Sequence, residues 1–279
     1  MPRRAFALPL VVILSMVATM AIAVMLERQS QQTLVTVRQL RWTQDRHLES
    51  GVREVVGAWV KGSSRRLGEI SKSGGHALDL MMEDGRNFRL DLEDAQGSVL
   101  AAFDGVPANE AALARNLYDT IAMRAGDPRT LEGWTRLVGP VAVSAASAPE
   151  AVLAAVASTR LGEGQAAAMA RDIVLARASP DQSGGPQWLR RILSEYVSDL
   201  EDRRELQRLI VAEPSLWRIR VSVFDDRGRL LSMYEAIVHV DGRELRQRAD
   251  SGDFTPLGPF LLWRRVEDAG LGAMMGATR

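Results

Sequence analysis

"MPRRAFALPLVVILSMVATMAIAVMLERQS", residues 1–30, carries no charged side chain from Ala5 to Leu26. A helix over these 22 positions rises about 33 Å, the hydrocarbon thickness of a bilayer. Arg3, Arg4 and the amino group precede the run, while Glu27, Arg28 and a neutral stretch to Arg38 follow it. The positive charge on the leading side places the N-terminus in the cytoplasm and everything after Leu26 outside. Two other readings fit the same letters. Ala21 and Ala23 form an A-x-A site for signal peptidase, which would release a chain starting at Val24, and an ordinary uncleaved anchor would retain Met1.

Past the apolar run the helical pattern continues. Leu48, Val52, Val55, Val56 and Trp59 recur on one helical face, and no proline interrupts Leu10 to Val60, which predicts one long helix over residues 6–60. "KGSSRRLGEISKSGG" (61–75) reads as a loop. In residues 76–106 Phe88, Leu90 and Leu92 alternate with Arg89, Asp91 and Glu93, and Asp84-Gly85 and Gln96-Gly97 punctuate the runs, as in a half-buried β-meander.

From 107 to 212 the period becomes helical. Apolar stripes run through Leu113, Leu117 and Ile121; Val152, Leu153 and Val156; Met169, Ile173 and Val174; and Trp188 through Tyr196 and Val197 to Leu200. Ser147 with Glu150 reads as a capping box. Over 213–266 the period reverts to two: Leu216, Arg218, Arg220 and Ser222 face one way and Trp217, Ile219, Val221 and Val223 the other. "DDRG" (225–228) and Asp241-Gly242 supply turns, "PFLLWRRV" (259–266) a last strand, and 267–279 reads as a flexible tail. The fold class is α+β: a long N-terminal transmembrane and spine helix, then an antiparallel sheet from which a large α-helical insertion loops out.

The chain has 279 residues, and its 35 basic and 35 acidic side chains cancel, so no net charge calls for nucleic acid. Lys61 and Lys72 are its only lysines, and cysteine is absent, which excludes disulfides, thiolate nucleophiles and cysteine-held zinc. His47, His76 and His239 stand too far apart for metal-ligand spacing, and no nucleophile elbow, phosphate loop or H-E-x-x-H appears, so the sequence offers no catalysis. Carboxylates gather at Glu83, Asp84, Asp91, Glu93 and Asp94 and at Asp225 and Asp226 without the order of a calcium loop. "RLGEGQAAAMARDIV" (160–174) sets Gly-x-Gly ahead of a helix, as in helix-hairpin-helix DNA binders. A membrane-anchored DNA-uptake protein is therefore the alternative function, opposed by Glu163 and Asp172, which offset Arg160, Arg171 and Arg177.

The short basic leader "MPRRA" (1–5), followed directly by Phe6 and a spanning helix, resembles the prepilin leader of type IV pilins and type II secretion pseudopilins. "RNFRLDLEDAQGSV" (86–99), "VAVSAASAPEAVLAAVASTRLGEGQAAAMARDIVLAR" (141–177) and "LWRIRVSVFDDRGRLLSMYEAIVHV" (216–240) follow in the order seen in the minor pseudopilin K family of the type II secretion system, and the chain resembles that family from Met1 to Val240. It departs from it at Ala5, where glycine is usual, at Leu10, where glutamate is usual in all but the tip subunit, and at Ser144 to Ala146.

The resemblance implies a pilin-like sheet, cleavage by prepilin peptidase between Ala5 and Phe6, and methylation of the new terminus. It implies packing of Leu8, Leu10, Val12, Ile13 and Val17 in a bundle with the major and other minor pseudopilins, with the small residues Ala18, Ala21 and Ala23 allowing close approach. It further implies a non-enzymatic role capping and initiating the tip of the pseudopilus in protein export. No cofactor is expected, although family members can bind calcium in the folded domain, which the clustered carboxylates would suit.

Overall fold

The computed structural model describes residues 7–104, 106–178, 186–240 and 260–266, with side chains from Leu14 onward. Leader residues 1–5, Phe6, the Asp241-Gly242 turn and the tail at 267–279 lie outside the described residues. The chain divides into two compact units, the first ending at Trp59 and the second beginning at Val60.

The first unit is made by helix α1, Ala7–Ser63, whose 57 residues rise about 85 Å. Every side chain from Leu14 to His47 is exposed. Leu48 is half-buried and Val52 and Val56 are buried, a stripe with a four-residue step. Val55, expected on the same face, is exposed, because it stands about 100° round the helix from Val56. Among the described residues no helix is long and apolar enough to cross a membrane. The part of the apolar run whose side chains are described, Leu14–Leu26, is shorter than the ~20 residues a span needs, and the side chains of Leu8, Leu10, Val12 and Ile13 lie outside it.

In the second unit the stretch read as a loop after Val60 is partly helical: α1 continues to Ser63 and α2 covers Leu67–Lys72. Leu67 is buried there, an apolar anchor that the surrounding glycine and serine masked. Five strands then form one antiparallel sheet. They are β1 (His76–Met81), β2 (Asn87–Asp94), β7 (Leu216–Phe224), β8 (Leu230–His239) and β9 (Phe260–Val266), in the order β1-β2-β7-β8-β9. Strands from both ends of the unit are thus neighbours, with β2 and β7 paired from Asn87↔Phe224 to Asp94↔Trp217.

The period-two pattern decides what each face of the sheet carries. Phe88, Leu90, Leu92, Trp217, Ile219, Val221, Val223, Tyr234, Ala236 and Val238 are buried. On the other face one row crosses all five strands, His76, Asp91, Arg220, Glu235 and Arg264, each opposite the next in register, with charge alternating from Asp91 to Arg264. Arg218 reaches Glu235 at 3.0 Å and Glu93 at 3.8 Å, and Arg264 also bonds Glu235. Cross-strand opposite charges favour this register, since a slip of one residue would turn every charge inward.

Between β2 and β7 lies the helical block. It holds α3 (Ala108–Ala125), α4 (Pro128–Trp134), α5 (Glu150–Ala157), α6 (Glu163–Arg177), α7 (Gln187–Tyr196) and α8 (Leu200–Leu209). Four two-residue strands form two parallel pairs: β3 (Val99–Leu100) with β4 (Thr135–Arg136), and β5 (Val143–Ser144) with β6 (Ile210–Val211). Leu117, Ile121, Leu153, Val156, Met169, Ile173, Leu193 and Leu206 are among the fully buried members of its core.

Two local expectations fail. The stripe drawn from Trp188 to Leu200 is two helices, because the Asp199 carboxylate accepts from the N–H groups of Glu201 and Asp202 and starts α8, leaving Leu200 exposed. Ser147 does not cap α5: the helix begins at Glu150 behind Pro149 with no side-chain cap, and the Ser147 hydroxyl donates to Asp94 at 2.7 Å.

Candidate assembly surface

From Leu14 to Leu26 the side chains of α1 are apolar or small and exposed. At 3.6 residues per turn Leu14, Met16, Val17, Met20, Ile22 and Met25 point to all sides of the helix, and all are exposed. Thr19 donates its hydroxyl to the Ser15 carbonyl at 2.6 Å, so even this polar side chain presents its methyl group outward. Leu14, Ala18, Ala21 and Met25 share one face, a shallow seam against which another helix can come close, while Ala23 lies roughly opposite. A helix apolar all round is stable only in lipid or among other helices. Of the residues expected to pack in a bundle, Val17 is exposed here; Leu8, Leu10, Val12 and Ile13, with the cleavage pair Ala5 and Phe6, lie outside the described residues.

Polar groups of the second unit bond one another across the junction where the helical block joins the sheet. Gln96 is buried immediately after β2. Its backbone carbonyl accepts from Ser144 N–H at 2.9 Å. Its side-chain oxygen accepts from the Ser215 and Leu216 N–H groups at 2.8 and 3.3 Å, and its side-chain nitrogen donates to the Ala142 carbonyl at 3.0 Å. One residue therefore ties the end of β2 to the start of β5 and the start of β7.

Beside it Arg136 is 7% exposed and donates from Nη2 to the carbonyls of Pro140 and Ala142, closing the 137–142 loop. Its Nε and Nη1 have no hydrogen-bond partner among the described residues. Burial pushes its pKa down to about 10, with Asp94 opposing the shift. Asp94 accepts from Gln96 N–H at 2.8 Å and from Ser147. Sequence reasoning missed both Gln96 and Arg136: the first reads as an ordinary turn residue and the second belongs to no periodic pattern.

The Gly-x-Gly segment is a compact connection between α5 and α6, with Gly162 at the N-cap of α6. Its arginines are engaged. Arg160 pairs with Asp202 and Glu205, Arg171 lies 3.8 Å from Glu150, and Arg177 donates to the Ala148 carbonyl at 2.6 Å. Arg160 and Glu205 also line a cavity of about 410 Å³ bounded by α3, α8 and residues 140–142, where Arg208 faces Glu110 at 3.7 Å. Opposite charges meet across it, so the described residues lining this cavity form no uniformly cationic surface for a phosphate backbone.

Of the clustered carboxylates, Asp84, Asp91, Glu93, Asp94 and Asp225 have partners within the chain. Asp84 bonds Arg86, which holds its carboxyl below the usual range. Asp91 faces His76, and Glu93 faces Arg218 and Arg220. Asp225 accepts from the N–H groups of Arg227 and Arg229 and from the Arg229 side chain, and bonds from Arg229 lower its pKa. Among the described residues no three histidines or carboxylates converge on a point where a metal ion could sit. His47 is exposed, His76 lies between Asp79 and Asp91, and His239 is half-buried at the end of β8.

No family model matches the chain, and no curated protein matches it. Among solved structures, a chain in the GspK–GspI–GspJ complex of the type 2 secretion system of enterotoxigenic Escherichia coli is similar to it, with a TM-score of 0.40 and 11% identity. That similarity covers 84% of this chain and 99% of the other.

Proposed function

We propose that this protein is a non-enzymatic, membrane-anchored subunit of a type II secretion pseudopilus, assembled through α1. The observation that carries the reading is the uncovered apolar circumference of Leu14 to Leu26. The leader and the ordered motifs that resemble minor pseudopilin K support the finer version. In it, prepilin peptidase cuts before Phe6, the helix stays in the inner membrane with its N-terminus cytoplasmic, and the periplasmic domain sits at the fibre tip beside other minor pseudopilins and above the major one. The helical block inserted between β2 and β7 enlarges that domain beyond its five-stranded sheet, which suits a subunit on which no further subunit stacks.

Intact mass of the mature protein and a photo-crosslinker, p-benzoylphenylalanine, at Val17 test the reading together. A chain starting at Phe6 whose Val17 probe joins the helix of another anchored protein is the expected result. A chain starting at Val24 and free in the medium overturns it.

A further inference from the structure

Beyond the apolar run α1 stays exposed but changes chemistry. Residues 28–46 include Arg28, Arg38, Arg41 and Arg46 against a single carboxylate, Asp45, which has an interaction of its own. Thr33, Thr36 and Thr43 donate to the carbonyls four residues back, so they offer no free hydroxyl. At about 100° per residue, Leu34, Arg38, Arg41 and Trp42 fall within roughly 100° of arc, the same arc on which Val52 and Val56 are buried further along.

Trp42 is 63% exposed, with the Arg46 guanidinium 5.3 Å from its ring centre. Arg38 and Arg41 have neither an ion pair nor a side-chain hydrogen bond among the described residues. An exposed tryptophan flanked by unpaired arginines is the composition of an interface centre.

Resting on the assembly reading above, we infer that Leu34, Arg38, Arg41 and Trp42 form a docking face for the acidic surface of a neighbouring protein. Charge selects a carboxylate-bearing occupant. Distance excludes lipid headgroups: with Leu26 at the edge of the hydrocarbon, Arg38 stands about 18 Å and Trp42 about 24 Å beyond it, while the headgroup layer is only about 5 to 8 Å deep.

The test uses the full chain in its own cells, with p-benzoylphenylalanine at Leu34 and, in a parallel chain, at Val17. The Leu34 adduct maps to a protein segment carrying Asp or Glu. Arg38→Glu with Arg41→Glu lowers its yield about tenfold, and reversing the mapped carboxylates restores it. The Val17 adduct, which depends on the apolar bundle, does not change.

A Leu34 adduct with lipid or with a segment lacking carboxylates overturns the inference, as does an absent adduct or a yield indifferent to charge reversal. In each of these the assembly reading survives so long as Val17 still crosslinks. Loss of both adducts in the unaltered chain overturns the assembly reading and this inference with it.

Discussion

Gln96→Leu tests whether the junction between sheet and helical block is held by one side chain. Leucine is close in volume but removes the acceptor for the Ser215 and Leu216 N–H groups and one of the two donors to the Ala142 carbonyl. That carbonyl keeps Arg136, and Ser215 is half-buried, so water reaches part of the gap. The loss that cannot be replaced is the Leu216 amide at a fully buried position. Each stranded buried group costs about 1 to 3 kcal/mol, so the substitution should destabilise the domain by about 3 kcal/mol, a fall in Tm of about 6 to 12 °C.

Gln96→Glu keeps the acceptor, loses the donor and sets a carboxylate near the buried Arg136, so it should cost about 1 kcal/mol at neutral pH. Thermal and urea unfolding of the full chain in detergent micelles, followed by tryptophan fluorescence, measure the order. Hydrogen exchange at Ser215 and Leu216 locates the change. A Gln96→Leu chain within about 0.5 kcal/mol of the parent, or one more stable than Gln96→Glu, would refute the clasp.

Three further outcomes follow from the same geometry. Gly97→Ala would place a methyl carbon 2.5 Å from the Ser147 hydroxyl and 2.9 Å from its backbone carbonyl carbon, so it should lower stability by about 2 kcal/mol in urea unfolding, and adding Ser147→Ala should restore only part. Glu235→Gln removes the negative charge from a side chain 14% exposed that faces both Arg218 and Arg264; those arginines re-enter water, so the loss should be about 1 to 2 kcal/mol and should shrink with added salt. The Asp199 carboxyl is held below its ordinary 3.8 by the N–H groups of Asp202 and Glu201; its contribution is therefore present above the ordinary carboxylate range and lost as pH falls through the lowered value, and Asp199→Asn should remove that component from acid unfolding followed by circular dichroism.

The sequence reading reached the fold where a pattern repeats. The alternation of Phe88, Leu90 and Leu92 with Arg89, Asp91 and Glu93, and its counterpart in Leu216–Phe224, marked strands whose buried and charged faces the structure bears out. It erred where a single residue overrides a pattern, as when Asp199 ends a stripe that runs on to Leu200. It could not see β3 with β4 or β5 with β6, because two-residue strands have no period. For the candidate site, the uncovered apolar helix was legible from composition alone. Gln96 and Arg136 were not, since their roles come from partners far along the chain: Gln96 meets Ser215 and Leu216, and Arg136 is buried by its surroundings.

That long-range stitching also explains why a helical block of this size can sit inside the sheet. Asp94 and Trp217 are directly opposed in adjacent strands, so the two ends of the insertion lie about 5 Å apart. Ala95 N–H donates to the Leu216 carbonyl at 3.1 Å, which joins outgoing and returning chain before the helices begin, and Ala145 N–H to the Val211 carbonyl at 2.8 Å, which joins them again between α4 and α5. The entropy of closing such a loop grows only with the logarithm of its length, about 0.6 kcal/mol per doubling. A larger or smaller block with its own core could hang from the same stem with little effect on β2 and β7.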